Sequence, residues 1–381
     1  MSNIEHIFFF SLLFIVFILI TINNQNYINK HFWRCTLLPV VAYGLIVGLR
    51  YGWGADYLYY MRRMMNPKYF EGMESPGFLW LNLFLKDLGF NFVADYVFYS
   101  FLFVICSFVF IKDFNKNKYM LALLLPATLI FTTSIIRQGI ALSFTFIMLY
   151  ALQRGKKLVF VMGGAITYLV HPGALLYLAP CLLFFFLSRG RLIPIKLSVP
   201  LYVLCSLSTN LFKDYIADPL QNLIFCMTFG NIGFMNEYAK RSDDWFGAGA
   251  IIEDWYQGPV TLTLSMIFHI SIIVLGYFAL KNNKYNKVVY LYNTVTVGWI
   301  VFRLFFPVEI MHRLTDPMTM LYFVPFGYAL YEYYTNRNIW SPRERTIGRW
   351  LVLGAYLYLV PYFLRFIFMF PEGDFVWNAN I

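Results

Sequence analysis

Leu129-Ile130-Phe131-Thr132-Thr133-Ser134-Ile135-Ile136-Arg137-Gln138-Gly139-Ile140 joins two apolar runs, 119–134 and 136–153, with almost no chain between them. Each run approaches the roughly 20 residues, range about 17–25, that a helix needs to cross a bilayer. An arginine at such a seam must face protein or a water-filled cavity, because hydrocarbon offers it no partner. The stretch reads as a hairpin of two membrane helices with Arg137 and Gln138 at one boundary. A guanidinium that caps helix carbonyls is the structural alternative for Arg137.

The rest of the chain repeats this pattern. Of its 381 residues 60% are hydrophobic and only 13% charged, against roughly 25% charged in a soluble protein. The mean hydropathy is +0.60. Apolar spans fall near 4–22, 36–50, 92–111, 119–134, 136–153, 157–171, 173–188, 192–209, 259–280, 287–306, 313–334 and 349–370. The fold class is all-α: a polytopic integral membrane protein of about 12 transmembrane helices, read as a single transmembrane domain over 1–381. The first run has no basic lead and no small-residue cleavage site, so it is a span and not a signal peptide. The five cysteines, Cys35, Cys106, Cys181, Cys205 and Cys226, form no metal clip or redox pair. The net charge of +10 is dispersed between apolar spans, which excludes a nucleic-acid interface.

Loop charge sets the orientation. Loops 21–34, 112–118, 154–157, 189–196, 281–287 and 337–349 hold 18 of the 30 Lys and Arg. Only the acids Asp113, Glu332 and Glu344 lie on that side. Cytoplasmic loops carry the Lys and Arg excess, so both termini are expected outside. Two outer segments are long, 50–91 and 210–258. The first contains Gly77-Phe78-Leu79-Trp80-Leu81-Asn82-Leu83-Phe84-Leu85-Lys86, patterned as an amphipathic helix at the interface.

The candidate site residues all fall on the outer side. Arg50, Arg137, Arg303 and Arg313 stand at span ends, and a planar fork of donors matches phosphate oxygens. They are expected to bind pyrophosphate. Arg50 opens Arg50-Tyr51-Gly52-Trp53-Gly54-Ala55-Asp56-Tyr57, whose glycines permit a tight turn and a close approach to a ligand. Asp56, Glu74, His171 and His312 are the candidate catalytic groups, with Asp56 first by position; Tyr57 and Gln138 are candidate substrate contacts. Each has a plainer reading: a snorkelling Arg50, a structural His171 beside Pro172-Gly173, a salt-bridged turn around Arg303, Glu309, His312, Arg313 and Asp316. His269, inside a span, is expected to make an interhelical hydrogen bond. The inner half is expected to lack buried charge.

Arg50-x-Gly52-x-Gly54-x-Asp56-Tyr57, Glu74-x-Pro76-Gly77-Phe78, Ser134-x-x-Arg137-Gln138, His171-Pro172 and Arg313, in that order, resemble the EpsG family of Wzy-type bacterial polysaccharide polymerases. Family members often have Gly-Thr-Asp where this chain has Gly54-Ala55-Asp56. The resemblance implies a GT-C-like architecture in the bacterial inner membrane with an active site on the outer side. It implies transfer of a growing glycan from undecaprenyl pyrophosphate onto a new lipid-linked repeat, as in O-antigen, capsule or exopolysaccharide synthesis. It implies no metal and no other cofactor. The partners it implies are lipid-linked oligosaccharide donor and acceptor, with a chain-length regulator and a flippase. Three rivals compete: a flippase for lipid-linked oligosaccharide, a glycosyltransferase holding Mg²⁺ or Mn²⁺ on Asp56, Glu71 and Glu74, and a membrane acyltransferase using His171 or His312.

Overall fold

A computed structural model describes residues 2–54, 56–188, 190–208, 259–282, 285–306, 309–368 and 374–377. Within helix 309–320 the side chains of 309–314 lie outside the description, as does the whole second long loop, 210–258. The described chain is helical apart from one two-stranded ribbon. It divides into two compact units, Met1–Leu175 with Leu359–Ile381, and Leu176–Tyr358.

The first unit is built from α1 (Ser2–Leu19), α2 (Gln25–Lys30), α3 (Phe32–Gly48), α4 (Tyr57–Met65), α5 (Pro76–Asp87), α6 (Phe92–Lys112), α7 (Lys118–Thr133), α8 (Ile136–Gln153) and α9 (Lys157–Val170). It also holds β1 (Arg50–Tyr51) and β2 (Asp374–Phe375). Among the described residues, four helical stretches are long and apolar enough to cross a membrane: Ile4–Ile22, Phe92–Lys112, Pro259–Lys281 and Pro342–Arg365. Shorter apolar helices fill in between them. In α1 the outward residues Ile4, Phe8, Leu12, Ile15 and Ile18 are apolar, while Phe10, Leu13 and Phe17 are buried. A helix apolar on both its inner and outer faces suits hydrocarbon surroundings.

The turn between α7 and α8 is as short as expected, Ser134 and Ile135 alone. The amphipathic stretch of the first loop is the 12-residue helix α5, with Ser75 at its N-cap position and Pro76 opening it. Its outward side carries Trp80 and Phe84. Loops assigned to the basic face meet one another. Gln25 donates to the Asn117 side chain at 2.8 Å, Asn29 to the Asn115 carbonyl at 2.9 Å, and Arg154 to Asp113.

The second unit contains the C-terminal part of α10 (Ala174–Leu187), then α11 (Ile195–Ser208), α12 (Pro259–Asn282), α13 (Asn286–Leu304), α14 (Glu309–Met320), α15 (Phe323–Thr335) and most of α16 (Pro342–Phe368). Lys281 and Glu344, from two loops assigned to the basic face, pair at 3.5 Å.

Three expectations need correction. The span at 313–334 is two helices, broken at Leu321 and Tyr322. Pro325 has no N–H to give the Leu321 carbonyl, and Val324 supplies a tighter bond to it at 3.0 Å. The last helix starts at Pro342, not 349, because Ser341 and Glu344 form a reciprocal capping box (2.9 and 3.2 Å). The basic side does hold buried acids: Asp113 and Glu332 are 4% and 2% exposed. Both are paired, with Arg154 and with the Asn336 amide at 2.8 Å, which is what makes their burial tolerable.

Candidate functional site

The site begins where α3 ends. The last four carbonyls of a helix have no partner within it, and Arg50 supplies partners for two helices at once. Its side chain is fully buried. Nε donates to the Trp53 carbonyl at 3.0 Å, Nη1 to Val47, and Nη2 to Thr132 and Thr133 at 2.9 and 3.1 Å. A cation at two helix C-termini also meets the negative ends of both dipoles. The stacked rings of Tyr57 and Tyr96 flank the guanidinium, 5.5 and 5.0 Å away.

Glycine lets the loop reach α7. Gly54 has φ +121°, and a Cβ there would lie 2.0 Å from the Thr133 carbonyl oxygen. The Arg50–Asp56 loop is therefore pressed against the seam that carries Arg137. Asp56 is half-buried at the start of α4. Around the buried Tyr60 of α4 the field comes from Arg137, Asp56, Tyr59 and Glu74. Burial pushes its hydroxyl up to about 12, with Arg137 opposing and the acids adding.

Glu74 is the hub. Its carboxylate is 2% exposed and takes a guanidinium on each oxygen: Arg63 Nε on Oε1, and Arg137 Nη1 on Oε2 at 2.8 Å. The Tyr59 hydroxyl donates to Oε1 at 3.4 Å. Arg63 stacks on the Tyr59 ring at 3.2 Å and on Phe70 at 4.5 Å. The Arg63 and Arg137 side chains are 13% and 21% exposed. The triad carries one net positive charge in a mostly enclosed place. Arg137 stands in the first turn of α8, where the helix dipole also favours an anion.

The next residue ties this hub to α9. Ser75 donates to the Val170 carbonyl, and a Cβ on Gly77 would lie 2.7 Å from the Leu169 carbonyl carbon. His171, half-buried, follows directly. The first unit thus gathers Arg50, Asp56, Tyr57, Glu74, Arg137 and Gln138, with His171 at the end of the helix on which α5 docks. Tyr57 and Gln138 are each 1% exposed, walls more than open surface.

Arg303 belongs to a different cluster, inside the second unit. Its Nε donates to the Tyr202 hydroxyl at 3.1 Å and its Nη2 to Ser265. The interhelical bond expected of His269 is made to that same hydroxyl, at 2.7 Å, and the imidazole stacks on Trp299 at 3.5 Å. His312 and Arg313 lie on α14, and their side chains are outside the described residues.

Arg63, Tyr202 and Ser265 were missed in the sequence. Arg63 sat among the loop charges Arg62 and Lys68. Its signal was the Tyr59–Arg63 spacing of one turn beside the buried face Tyr57, Tyr60 and Met64. Ser265 precedes His269 by one turn inside an apolar span, a pair of polar residues on one face.

A family model described as EpsG family matches residues 33–378. No curated protein and no solved structure matches the chain.

Proposed function

The chain belongs to the EpsG family, a Wzy-like polysaccharide polymerase family, and from that premise we propose that it moves a growing glycan from polyprenyl pyrophosphate to a new lipid-linked repeat outside the cytoplasm. It is an integral membrane protein. The observation that carries the reading is the Arg63–Glu74–Arg137 triad. Cleaving a sugar–phosphate bond leaves negative charge on the departing pyrophosphate. Preorganised guanidiniums in a water-poor place stabilise that charge without reorganising.

The roles divide by what each side chain already holds. Arg137 and Arg63 bind the pyrophosphate, since both are partly exposed and share one counter-ion. Glu74 has both oxygens engaged, so it positions the two arginines and is not the base. Asp56 accepts the proton of the attacking hydroxyl, with His171 as the second choice. Arg50 has its donors on four carbonyls, so it shapes the loop instead of touching phosphate. Tyr57 and Gln138 wall the site. Arg303 is buried with donors on Tyr202 and Ser265, so by the same reasoning it holds the helices of the second unit; Arg313 and His312 are kept as proposed substrate contacts. The proposed lipid carrier is undecaprenyl, in a bacterial inner membrane with both termini outside.

The metal-dependent rival needs Glu74 as a ligand, and the two guanidiniums compete for both of its oxygens. The test is turnover of a reconstituted Arg137→Ala variant on a polyprenyl-pyrophosphate repeat unit. The expected loss is roughly 10²–10³-fold, as for removal of an oxyanion donor. An unchanged rate would overturn the assignment.

A further inference from the structure

The Arg50 loop is held from its other side by the far end of the chain. β2 pairs antiparallel with β1, Arg50 opposite Phe375 and Tyr51 opposite Asp374, and the Val376 amide donates to the Leu49 carbonyl at 3.0 Å. Phe375 is fully buried, its ring 4.7 Å from His6 and 5.0 Å from Phe9. Trp377 stacks on Phe375 at 4.5 Å and donates from Nε1 to Glu5 at 3.2 Å. His6 and Phe10 in turn close over the buried Trp53, at 6.0 and 4.4 Å. That is the residue whose carbonyl takes Arg50 Nε.

We infer that this C-terminal strand is a positioning part of the site, with Phe375 as the wedge that fixes the Arg50–Asp56 loop. The inference rests on the reading of that loop as part of the polymerase site. The physical need is clear from the loop itself. Gly52 and Gly54 both have positive φ, so the segment has wide conformational freedom when unrestrained. Arg50 pins its start and the Gly54 contact its middle. A two-stranded ribbon is marginal by itself, so the ladder holds only because Phe375 is anchored in α1. Through the ribbon the loop backbone is clamped between α1 on one side and the end of α7 on the other, which sets where Asp56 stands.

Phe375→Ala, with Phe375→Leu as the conservative partner, tests this in the full chain in two ways. Hydrogen exchange needs no substrate: amides 49–57 should exchange at least tenfold faster in Phe375→Ala, and those of α6 to α8 should not change. Turnover on a polyprenyl-pyrophosphate repeat should lose kcat about tenfold with KM held, and Phe375→Leu should restore most of it. A Tyr51→Cys/Asp374→Cys chain adds a lock, since directly paired strand residues lie at disulfide distance. Oxidation should leave its turnover unchanged. The inference is overturned if Phe375→Ala alters neither exchange nor kcat, or if the oxidised lock is inactive, which would make the strand a gate that must open. A wild-type chain without glycosyl transfer would instead sink the polymerase reading, because the exchange result stands without it.

Discussion

Replacing Glu74 by Gln separates a positioning carboxylate from a catalytic base. Glu74 accepts Arg63 on one oxygen and Arg137 on the other, and its side chain is 2% exposed. Glutamine keeps one acceptor and turns an NH₂ toward the second guanidinium. One charge-assisted hydrogen bond, worth about 1.5–3 kcal/mol, is lost, and a donor faces a donor. The arginines are partly exposed, at 13% and 21%, so water takes up some of the deficit and the low end applies. About 1.5–2.5 kcal/mol corresponds to roughly 10- to 70-fold in kcat if the whole effect reaches the transition state. Glu74→Ala frees both guanidiniums and should lose roughly 10²-fold or more. The assay is initial rate of polyprenyl-pyrophosphate release by reconstituted protein, with kcat followed against pH. A positioning Glu74 leaves the shape of the pH profile unchanged. It also makes Glu74→Ala/Arg137→Ala little worse than Arg137→Ala alone, because partners in one network are not additive. An additive double variant, or loss of the acid limb of the profile in Glu74→Gln, would refute the reasoning.

The fold gives three further expectations. Gly54→Ala should destabilise the first unit and abolish turnover, since its Cβ would meet Thr133 at 2.0 Å, while Gly72→Ala, with φ +82° and nothing within 4 Å, should cost only about 1–2 kcal/mol of backbone strain; thermal melting in detergent compares them. Arg50→Lys puts three donors in place of a fork serving four carbonyls. It should lower the melting temperature through at least one orphaned carbonyl, about 1–3 kcal/mol, with the substrate KM held. Tyr202→Phe removes the hydroxyl shared by Arg303 and His269. It should destabilise by about 0.6–1.7 kcal/mol, read from the melting curve; no change would show that the cluster is slack.

What the sequence disclosed follows from the range of each signal. Apolar runs and the two-residue turn at Ser134 and Ile135 are local, so helices such as α6 and α8 were legible within a few residues. Gly54 was legible as a point of close approach, although not what it approaches. Glu74 and Arg137 were both marked, one among the candidate catalytic groups and one as a phosphate ligand, but not as partners of each other. Their ion pair joins positions 63 residues apart, and loop charge carries no information about such a pairing. Arg50 was marked for phosphate because its donors looked unclaimed. Two of the four carbonyls that claim them belong to α7, which only the fold brings there. Pro325 could have signalled the broken helix, but the apolar run continued through it. Asp374–Phe375 is too short for any periodic pattern, and its partner is more than 300 residues earlier.

The central claim is polymerisation of a lipid-pyrophosphate-linked glycan by a site built on guanidiniums. Its most direct test is purified, reconstituted protein incubated with a polyprenyl-pyrophosphate repeat unit, with and without EDTA, and the products resolved by length. The expected result is a ladder of products that EDTA leaves intact. A single addition abolished by EDTA, or movement of the unaltered lipid across the vesicle with no product, would contradict it.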